Sequence, residues 1–256
     1  MKNGRLFRER LHRGDRMLGA WLTIPDPAMA EMMALTGMDF LLIDMEHAPH
    51  DPGLLQNILL GLNGTECASL VRVPWNEPWI IKQIIDVGSD AIMVPMVNNR
   101  AEAEKAAKST KYPPAGIRGV GPRRAAMYGL DETYMERAND EISVVVQIEH
   151  IDAVNNTEEI ATTPGVDAVY VGPADLTGSL GKLPDFGNAD TKAAIEKVVE
   201  TCTRIKAPFG IYSDSAEGAA YWAHRGGQLQ TIGEDNLILL QGTVTALREA
   251  RAAMKG

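Results

Sequence analysis

Short apolar runs recur along the chain and alternate with longer stretches whose apolar residues have helical spacing. Several runs, such as AIMVP at 91–95 and SVVVQI at 143–148, are apolar almost throughout. Parallel strands that are covered on both faces have this pattern, because neither face meets water. The predicted strands are Leu18–Thr23, Phe40–Asp44, Ser69–Val73, Ala91–Pro95, Ser143–Glu149, Ala168–Gly172, Phe209–Tyr212 and Leu229–Ile232.

The stretches between the predicted strands contain residues that favour helix starts. Asp51 precedes a proline, which is the pattern of an N-cap followed by proline in the first turn. Asn99 precedes an alanine-rich segment and is placed to cap it. Asp214, with a glutamate three residues later, has the spacing of a capping box, and Asp235 is placed to cap a last helix over Leu237–Met254. Strands and helices are therefore predicted to alternate.

The number of predicted strands and the chain length together indicate an α/β fold, a (β/α)8 TIM barrel. Eight strand–helix units in 256 residues match the size of this barrel. An open doubly wound sheet is the alternative. Against it, the first strand–helix turn, TIPDPAMAE, lacks the glycine-rich phosphate fingerprint, and no GxxxxGK(S/T) motif occurs. No linker or change of composition divides the chain, so residues 1–256 are predicted to form a single barrel domain.

Composition and charge narrow the class of protein. The chain has 25 basic and 34 acidic residues, a net charge of −9, and no basic stripe, which argues against nucleic acid as a partner. Its two cysteines are too few for a disulfide-stapled secreted scaffold, and its apolar runs are too short to cross a bilayer. Residues 1–14 are basic and polar and lack the apolar core of a signal peptide. We therefore expect a cytoplasmic protein that has neither a membrane nor a nucleic acid as its partner.

Candidate chemistry begins at the second and third predicted strands, because catalytic groups of a barrel lie at the carboxyl ends of its strands. Asp44 and His47 are three residues apart at the end of the second strand. A carboxylate on one imidazole nitrogen would orient the ring and raise its basicity. The alternative is a capping Asp44 and a solvent-facing His47. Arg72 lies in an apolar strand, where it needs a carboxylate, a bound anion or both, and the alternative to a functional role is an ion pair that closes the barrel.

The fifth and sixth predicted strands supply oxygen ligands. Gln147 and Glu149 share one face of a strand, so both point into the barrel if their apolar neighbours face the helices. Asp175 follows a tight Gly-Pro turn. Two carboxylates with open positions suit Mg²⁺ or Mn²⁺, and water and substrate oxygens would complete the shell. The alternatives are a salt bridge from Glu149 to Arg72 and an Asp175 that only caps the next helix.

At these residues the chain resembles the HpcH/HpaI-type metal-dependent pyruvate aldolases, which include 4-hydroxy-2-oxoheptanedioate aldolase and keto-deoxy-sugar-acid aldolases. The matching motifs run in order from Gly19 to Gly181, and the most specific are IDMEHAP, YPPAGIRGVG and GPADL. The match is looser over Ala207–Leu240. Two positions near the predicted barrel mouth depart from the family pattern, namely His150 and the sequence Gly233-Glu234-Asp235.

The resemblance implies a barrel of the phosphoenolpyruvate/pyruvate superfamily, usually a homohexamer, that uses a divalent metal ion, Mg²⁺, Mn²⁺ or Co²⁺. By the same resemblance, His47 would be the base, and Arg72 would stabilise the enolate. Asp86 would raise the basicity of the histidine, in this chain or from a neighbouring subunit. Glu149 and Asp175 would hold the metal. The residues implied to contact the substrate are Gln147, Gly172, Pro173, Ala174 and Asp175.

The hypothesis is therefore a metal-dependent aldolase that cleaves a 4-hydroxy-2-keto acid to pyruvate and an aldehyde. An imine mechanism would need a desolvated lysine, and Lys182 is the one plausible loop candidate. One rival is an acyl-CoA lyase of the same superfamily, for which Arg118, Arg123 and Arg124 could form part of a phosphate groove. The other rival is a non-catalytic barrel that binds a keto acid.

Overall fold

The structure, a computed structural model, describes residues 2–254, and its eight strands form one closed parallel barrel in the chain order β1 to β8. The prediction of an eight-stranded barrel is confirmed, and the largest difference in bounds is the last strand, which continues to Glu234. The strands are β1 Met17–Leu22, β2 Phe40–Asp44, β3 Ala68–Arg72, β4 Ala91–Val94, β5 Ser143–Ile148, β6 Ala168–Val171, β7 Phe209–Ile211 and β8 Leu229–Glu234.

Helices follow the strands on the outside of the barrel, and a short 3-10 helix covers Arg124–Gly129. The α-helices are α1 Lys2–Arg13, α2 Pro27–Ala34, α3 Pro52–Gly61, α4 Pro78–Asp86, α5 Arg100–Thr110, α6 Tyr134–Glu141, α7 Ile151–Asn155, α8 Thr157–Ala161, α9 Pro173–Ser179, α10 Ala189–Ile205, α11 Ala216–His224 and α12 Asp235–Ala253. Within residues 2–254 no helix combines the length and the apolar character needed to cross a membrane.

The helix starts predicted from polar residues are partly correct. Asp51 accepts a hydrogen bond of 2.8 Å from the Leu54 amide at the start of α3, and Asn99 accepts one of 3.0 Å from the Glu102 amide in α5. The prediction that Asp214 caps α11 is wrong by one residue. Ser215 is the cap, because its hydroxyl accepts from an amide in the first turn while Asp214 stays in the preceding loop.

Two apolar layers set the direction in which each strand side chain points. Val146 and Ile148 of β5 pack in the layer between the barrel and its helices, whereas Val145 packs inside the barrel with Met93 and Tyr170. Because side chains alternate along a strand, this packing turns Gln147 toward the barrel axis.

The ends of the chain meet the barrel differently. Phe7 and Leu11 of α1 are buried in the inner apolar layer. At the other end, Asp235 is buried and accepts hydrogen bonds from the amides of Thr23 and Ile24, both at 2.9 Å, so it fastens the start of α12 to the end of β1. Residues 236–254 are exposed, and the rest of α12 therefore extends away from its own barrel.

Candidate active site

A cavity of about 1010 Å³ opens at the carboxyl ends of the strands. Nine of the ten side chains or turn residues predicted for the site line it, and Asp86 does not. The nine are Asp44, His47, Arg72, Gln147, Glu149, Gly172, Pro173, Ala174 and Asp175.

Arg72 is held between two carboxylates at one side of this cavity. Its Nε and Nη2 donate to the two oxygens of Asp44 at 2.8 and 2.7 Å, and its Nη1 lies 3.1 Å from Glu46. The guanidinium also lies 4.4 Å from the ring centroid of Trp21. Burial opposes ionisation of Asp44, but the hydrogen bonds and charge of Arg72 prevail and lower the pKa of Asp44. Arg72 is therefore a buried, fixed cation.

The structure does not bring the Asp44 carboxylate to the imidazole of His47. Asp44 instead accepts from the backbone amides of Glu46 at 3.0 Å and His47 at 3.4 Å, so it caps the turn that follows β2. The His47 side chain is 65% exposed, and its Nε2 lies 4.0 Å from a Glu46 oxygen. Of the two interpretations of this segment, the capping aspartate with a solvent-facing histidine is the one that the geometry matches.

Glu46 is a site residue that the sequence analysis missed. It lies between Arg72 and His47, and burial raises its pKa although both neighbours oppose this. The signal that could have found it is its position in the IDMEHAP motif, immediately after a strand end.

Glu149 is a buried carboxylate without a cationic partner. It is 2% exposed and accepts from the Met96 amide at 2.7 Å and from Gln147 Nε2 at 2.9 Å. Among the described residues no lysine or arginine lies within ion-pair distance, so the alternative of a salt bridge to Arg72 is not what the structure shows. Burial, reinforced by the charges of Glu46 and Asp175, raises the pKa of Glu149 to about 7.

Gly172 allows this close arrangement. A Cβ at this position would lie 2.6 Å from a carboxylate oxygen of Glu149 and 3.3 Å from Gln147 Nε2. Any larger residue would therefore displace Glu149.

Asp175 completes the acidic side of the cavity from the first turn of α9, where it is exposed. Its charge disfavours ionisation of both Glu149 and Glu46.

Over residues 2–254 there is no cluster of three or more His, Cys, Asp or Glu side chains arranged for a metal. A hard divalent cation fits the donors that are present, because no described lysine or arginine lies within ion-pair distance of Glu149 and the Gln147 carbonyl oxygen is buried without a hydrogen-bond donor.

Asp86 lies away from the cavity, at the end of α4. It accepts a hydrogen bond of 2.6 Å from Arg118, whose side chain is fully buried and also donates to the Tyr134 hydroxyl at 3.2 Å. Within one chain Asp86 therefore forms a structural ion pair with Arg118. A role beside the histidine of a neighbouring subunit remains a prediction.

The cationic groove considered for coenzyme A is not formed. Arg118 is buried against Asp86, and Arg124 is buried with its guanidinium donating to the carbonyls of Val87 at 3.1 Å and Leu59 at 2.9 Å. Neither arginine lines the described cavity, and only Arg123 of the three is exposed.

The lysine considered for imine chemistry is also unsuitable. Lys182 pairs with Asp190 at 2.8 Å, its side chain is 44% exposed, and its pKa is raised by this hydrogen bond and charge. An imine-forming lysine needs the opposite shift. No described lysine lines the cavity.

Comparison with known proteins identifies the family. The model of the HpcH/HpaI aldolase/citrate lyase family matches residues 17–240. The chain belongs to this family. The matched span contains every strand of the barrel and every residue predicted for the site, so the resemblance inferred from the motifs is confirmed.

Two named relatives are similar over most of their length. The hydroxypyruvate/pyruvate aldolase of Paraburkholderia phytofirmans is 38% identical over 253 residues, 96% of this chain and 97% of that protein. The 5-keto-4-deoxy-D-glucarate aldolase of Escherichia coli is 38% identical over 219 residues, 85% of this chain and 86% of that protein. The expectation of a pyruvate aldolase is thereby confirmed at the level of the family.

Solved structures agree with this assignment. A HpcH/HpaI aldolase/citrate lyase family protein from Burkholderia cenocepacia has a TM-score of 0.94 and 35% identity over 96% of this chain and 99% of that chain. A 2,3-dimethylmalate lyase of the PEP mutase/isocitrate lyase superfamily has a TM-score of 0.59 and 12% identity over 99% of this chain and 87% of that chain, which shows a shared fold. The predicted barrel fold is thereby confirmed. Aldolases and citrate lyases of this kind are generally dependent on a divalent metal.

Proposed function

We propose that this protein is an aldolase that reversibly cleaves a 4-hydroxy-2-keto acid to pyruvate and an aldehyde. The observation that carries the proposal is Glu149, a buried carboxylate without a cationic partner, in the same cavity as Asp175 and the fixed cation Arg72. The relatives named as pyruvate and keto-deoxy-glucarate aldolases support this class of reaction.

Glu149 and Asp175 would hold the divalent metal, which is Mg²⁺, Mn²⁺ or Co²⁺ since carboxylate and water ligands accept all three. The metal would supply a Lewis acid that stabilises the negative charge of the pyruvate enolate. Gln147 would lie beside the metal. Its buried carbonyl oxygen has no hydrogen-bond partner and would accept a hydrogen bond from a water or from a substrate hydroxyl. The turn from Gly172 to Ala174 would line the pyruvate position.

Arg72 would donate a hydrogen bond to the keto oxygen of the substrate. Its two bonds to Asp44 fix the guanidinium, so little reorganisation is needed when negative charge develops on that oxygen. Asp44 acts through Arg72 in this scheme and does not contact the substrate.

His47 would move the proton at the 4-hydroxyl of the substrate. In cleavage its imidazole accepts this proton as the bond between the third and fourth carbons breaks, and in synthesis it returns the proton to the new alkoxide. The exposed ring is free to approach the substrate, and Glu46 is the nearby carboxylate that would stabilise the imidazolium.

The rival functions fit the structure less well. An acyl-CoA lyase would need the cationic groove that Arg118 and Arg124 do not form. A binding protein for keto acids would have no use for a histidine base beside a fixed arginine.

Isotope exchange tests the proposal. The protein is incubated with pyruvate and Mn²⁺ in D₂O, the metal is removed, and loss of the methyl protons is followed by NMR. We expect exchange that stops when EDTA is present throughout. Absence of exchange, with or without an aldehyde, would overturn the aldolase assignment, and exchange that persists in EDTA would overturn the role of the metal.

The chain is also proposed to form a homo-oligomer, for which the resemblance implies a hexamer. Leu240 and Val244 of α12 are 59% and 56% exposed, and Leu18 on the outer face of β1 is 47% exposed. Leu18 is the one exposed residue of β1, and it and the projecting apolar helix are both surfaces that a second copy could cover, so the α12 helix of one copy would pack on the barrel wall of another. A cytoplasmic location is proposed as well, in keeping with two free, buried cysteines.

A further inference from the structure

The cavity extends well beyond the groups assigned to pyruvate. Glu149 and Asp175 follow β5 and β6, whereas Tyr212 and Glu234 lie at the ends of β7 and β8. A volume of about 1010 Å³ is far more than a three-carbon keto acid fills. The part of the cavity at β7 and β8, which we call the distal end, is lined by Tyr212, Asp214, Trp222 and Glu234.

Trp21 contacts one residue from each part of the cavity. Its ring stacks under the guanidinium of Arg72, 4.4 Å from centroid to Cζ, and its centroid lies 6.0 Å from that of Tyr212. A substrate that spans Trp21 would place its keto acid beside Arg72 and its remaining carbons beside Tyr212.

The distal end is acidic. Glu234 is half-buried and accepts a hydrogen bond of 3.0 Å from the Tyr212 hydroxyl, and Asp214 is exposed in the adjoining loop. Among the described residues the cationic side chains that line the cavity are Arg72 and, when protonated, His47. Arg72 is already paired with Asp44 and Glu46, and His47 lies 4.0 Å from Glu46, so neither cation pairs with the distal carboxylates.

We propose that the distal end binds the aldehyde half of the substrate and that Glu234 selects an uncharged, hydroxylated aldehyde over one that carries a carboxylate. This inference rests on the proposed aldolase function. A hydroxyl of the aldehyde donates a charge-assisted hydrogen bond to the Glu234 carboxylate. An aldehyde that carries a carboxylate is instead repelled by the charge of Glu234.

Tyr212 is the positioning residue for Glu234. Burial, together with the Glu234 charge, raises the pKa of the Tyr212 hydroxyl, so the phenol stays protonated and donates to the carboxylate. Trp222 supplies an apolar wall for the carbon chain. The Gly233-Glu234-Asp235 segment thus places one acid in the cavity and uses the next, Asp235, to anchor β1.

A matched pair of aldehydes tests this selectivity. Glycolaldehyde and glyoxylate differ in a CH₂OH group against a carboxylate, and kcat/KM for each is measured with pyruvate and Mn²⁺. We expect the glycolaldehyde-to-glyoxylate ratio to fall about tenfold in Glu234→Gln, which keeps the shape and removes the charge. Because this ratio is compared between the variant and the wild-type protein, the different intrinsic reactivities of the two aldehydes cancel.

Two further proteins make the result decisive. In Tyr212→Phe the ratio should fall by a smaller factor, because Glu234 keeps its charge and loses its fixed orientation. In Glu217→Gln, an exposed acid of α11 that does not line the cavity, the ratio should stay at the wild-type value. A ratio within about twofold of wild type in Glu234→Gln would overturn the inference.

Exchange of pyruvate methyl protons in D₂O, which needs no aldehyde, is measured on the wild-type protein in parallel. If that exchange is absent, the proposed function fails. If exchange is present and the ratio does not respond to Glu234→Gln, the assignment of the distal end fails alone.

Discussion

Arg72 donates two nearly parallel hydrogen bonds to Asp44, one to each carboxylate oxygen, from adjacent strands of the barrel. The two residues are direct register partners across β2 and β3, and their side chains are only 8% and 4% exposed. Because both oxygens of Asp44 accept hydrogen bonds from Arg72, this carboxylate is not available to the imidazole of His47. The arginine is thereby the buried, paired group of the site, and the histidine is the exposed one.

Replacement of Arg72 by lysine should remove most of the activity. An ammonium group cannot donate in parallel to Asp44 and still reach Glu46, so the positive charge at the keto oxygen is lost or misplaced. We expect kcat for aldol cleavage to fall by about 10²–10³-fold, the usual effect of deleting one stabilising donor. Arg100→Lys, in an exposed arginine at the start of α5, is the control, and a change in Arg72→Lys no larger than in this control would contradict the assignment.

Replacement of Glu149 by glutamine should abolish metal binding and leave the fold intact. Glutamine keeps the volume of the buried side chain and removes a charge that has no cationic partner. We expect Mn²⁺ affinity, measured by titration calorimetry, to fall by about 100-fold or more, while the circular dichroism spectrum stays unchanged. Glu159→Gln, in an exposed acid of α8, should bind Mn²⁺ like the wild type. Equal affinities in the two variants would show that Glu149 is not a ligand.

Metal affinity should depend on pH in a defined range. The pKa of Glu149 is raised from 4.5 to about 7, and a metal ligand must be deprotonated. The apparent Kd for Mn²⁺ should therefore be about tenfold weaker at about pH 6 than at about pH 8. This dependence should be absent from the residual binding of Glu149→Gln. A flat profile for the wild-type protein would be evidence against the raised pKa.

The same shift predicts how the metal-free protein responds to pH. A raised carboxyl pKa means that the native state keeps a proton that the unfolded chain has released, so this group stabilises the fold below about pH 4.5 and progressively loses its contribution as the pH rises to about 7. Denaturant titrations without metal should show a decline in the free energy of unfolding over this range, by up to about 3 kcal/mol. Glu149→Gln should decline less, and an identical decline in both proteins would assign the effect to other groups.

Replacement of His47 by alanine should affect cleavage more than binding. Loss of a general base typically costs about 10²–10⁴-fold in rate, whereas pyruvate contacts Arg72 and the metal in the proposed scheme. We expect a fall in kcat of this size and an unchanged inhibition constant for pyruvate. His224→Ala, in an exposed histidine of α11, should behave like the wild type. Unchanged cleavage by His47→Ala would remove the histidine from the mechanism.

The projecting helix α12 should hold subunits together. The double variant Leu240→Glu, Val244→Glu puts two charges on its apolar face, and light scattering should show a fall from the oligomer mass toward that of the 27.8 kDa chain. Thr245→Glu, on a different face of the same helix, should keep the oligomer. A wild-type protein that is already monomeric would contradict the proposed assembly.

The sequence by itself determined the eight strands of the barrel and the fact that Gln147 and Glu149 share one face of β5. Alternation along β5 is a local property with a period of two, so the pattern puts Gln147 and Glu149 on one face and Val146 and Ile148 on the other. The packing of Val146 and Ile148 against the helices then showed which face points into the barrel. Strand runs and helix caps such as Asp51 are likewise set by neighbours in the chain.

Only the tertiary structure decided which distant residues meet. Asp44 is three residues from His47 but bonds to Arg72, 28 residues away, because closure of the barrel places β2 beside β3 in a register that spacing does not encode. In the same way Asp86 lies with Arg118 at the end of α4 and not in the cavity, and Glu234 meets the hydroxyl of Tyr212, 22 residues away. Contacts between strands depend on their register and on which of several nearby side chains pairs with a given charged group. Neither is a property of a short segment.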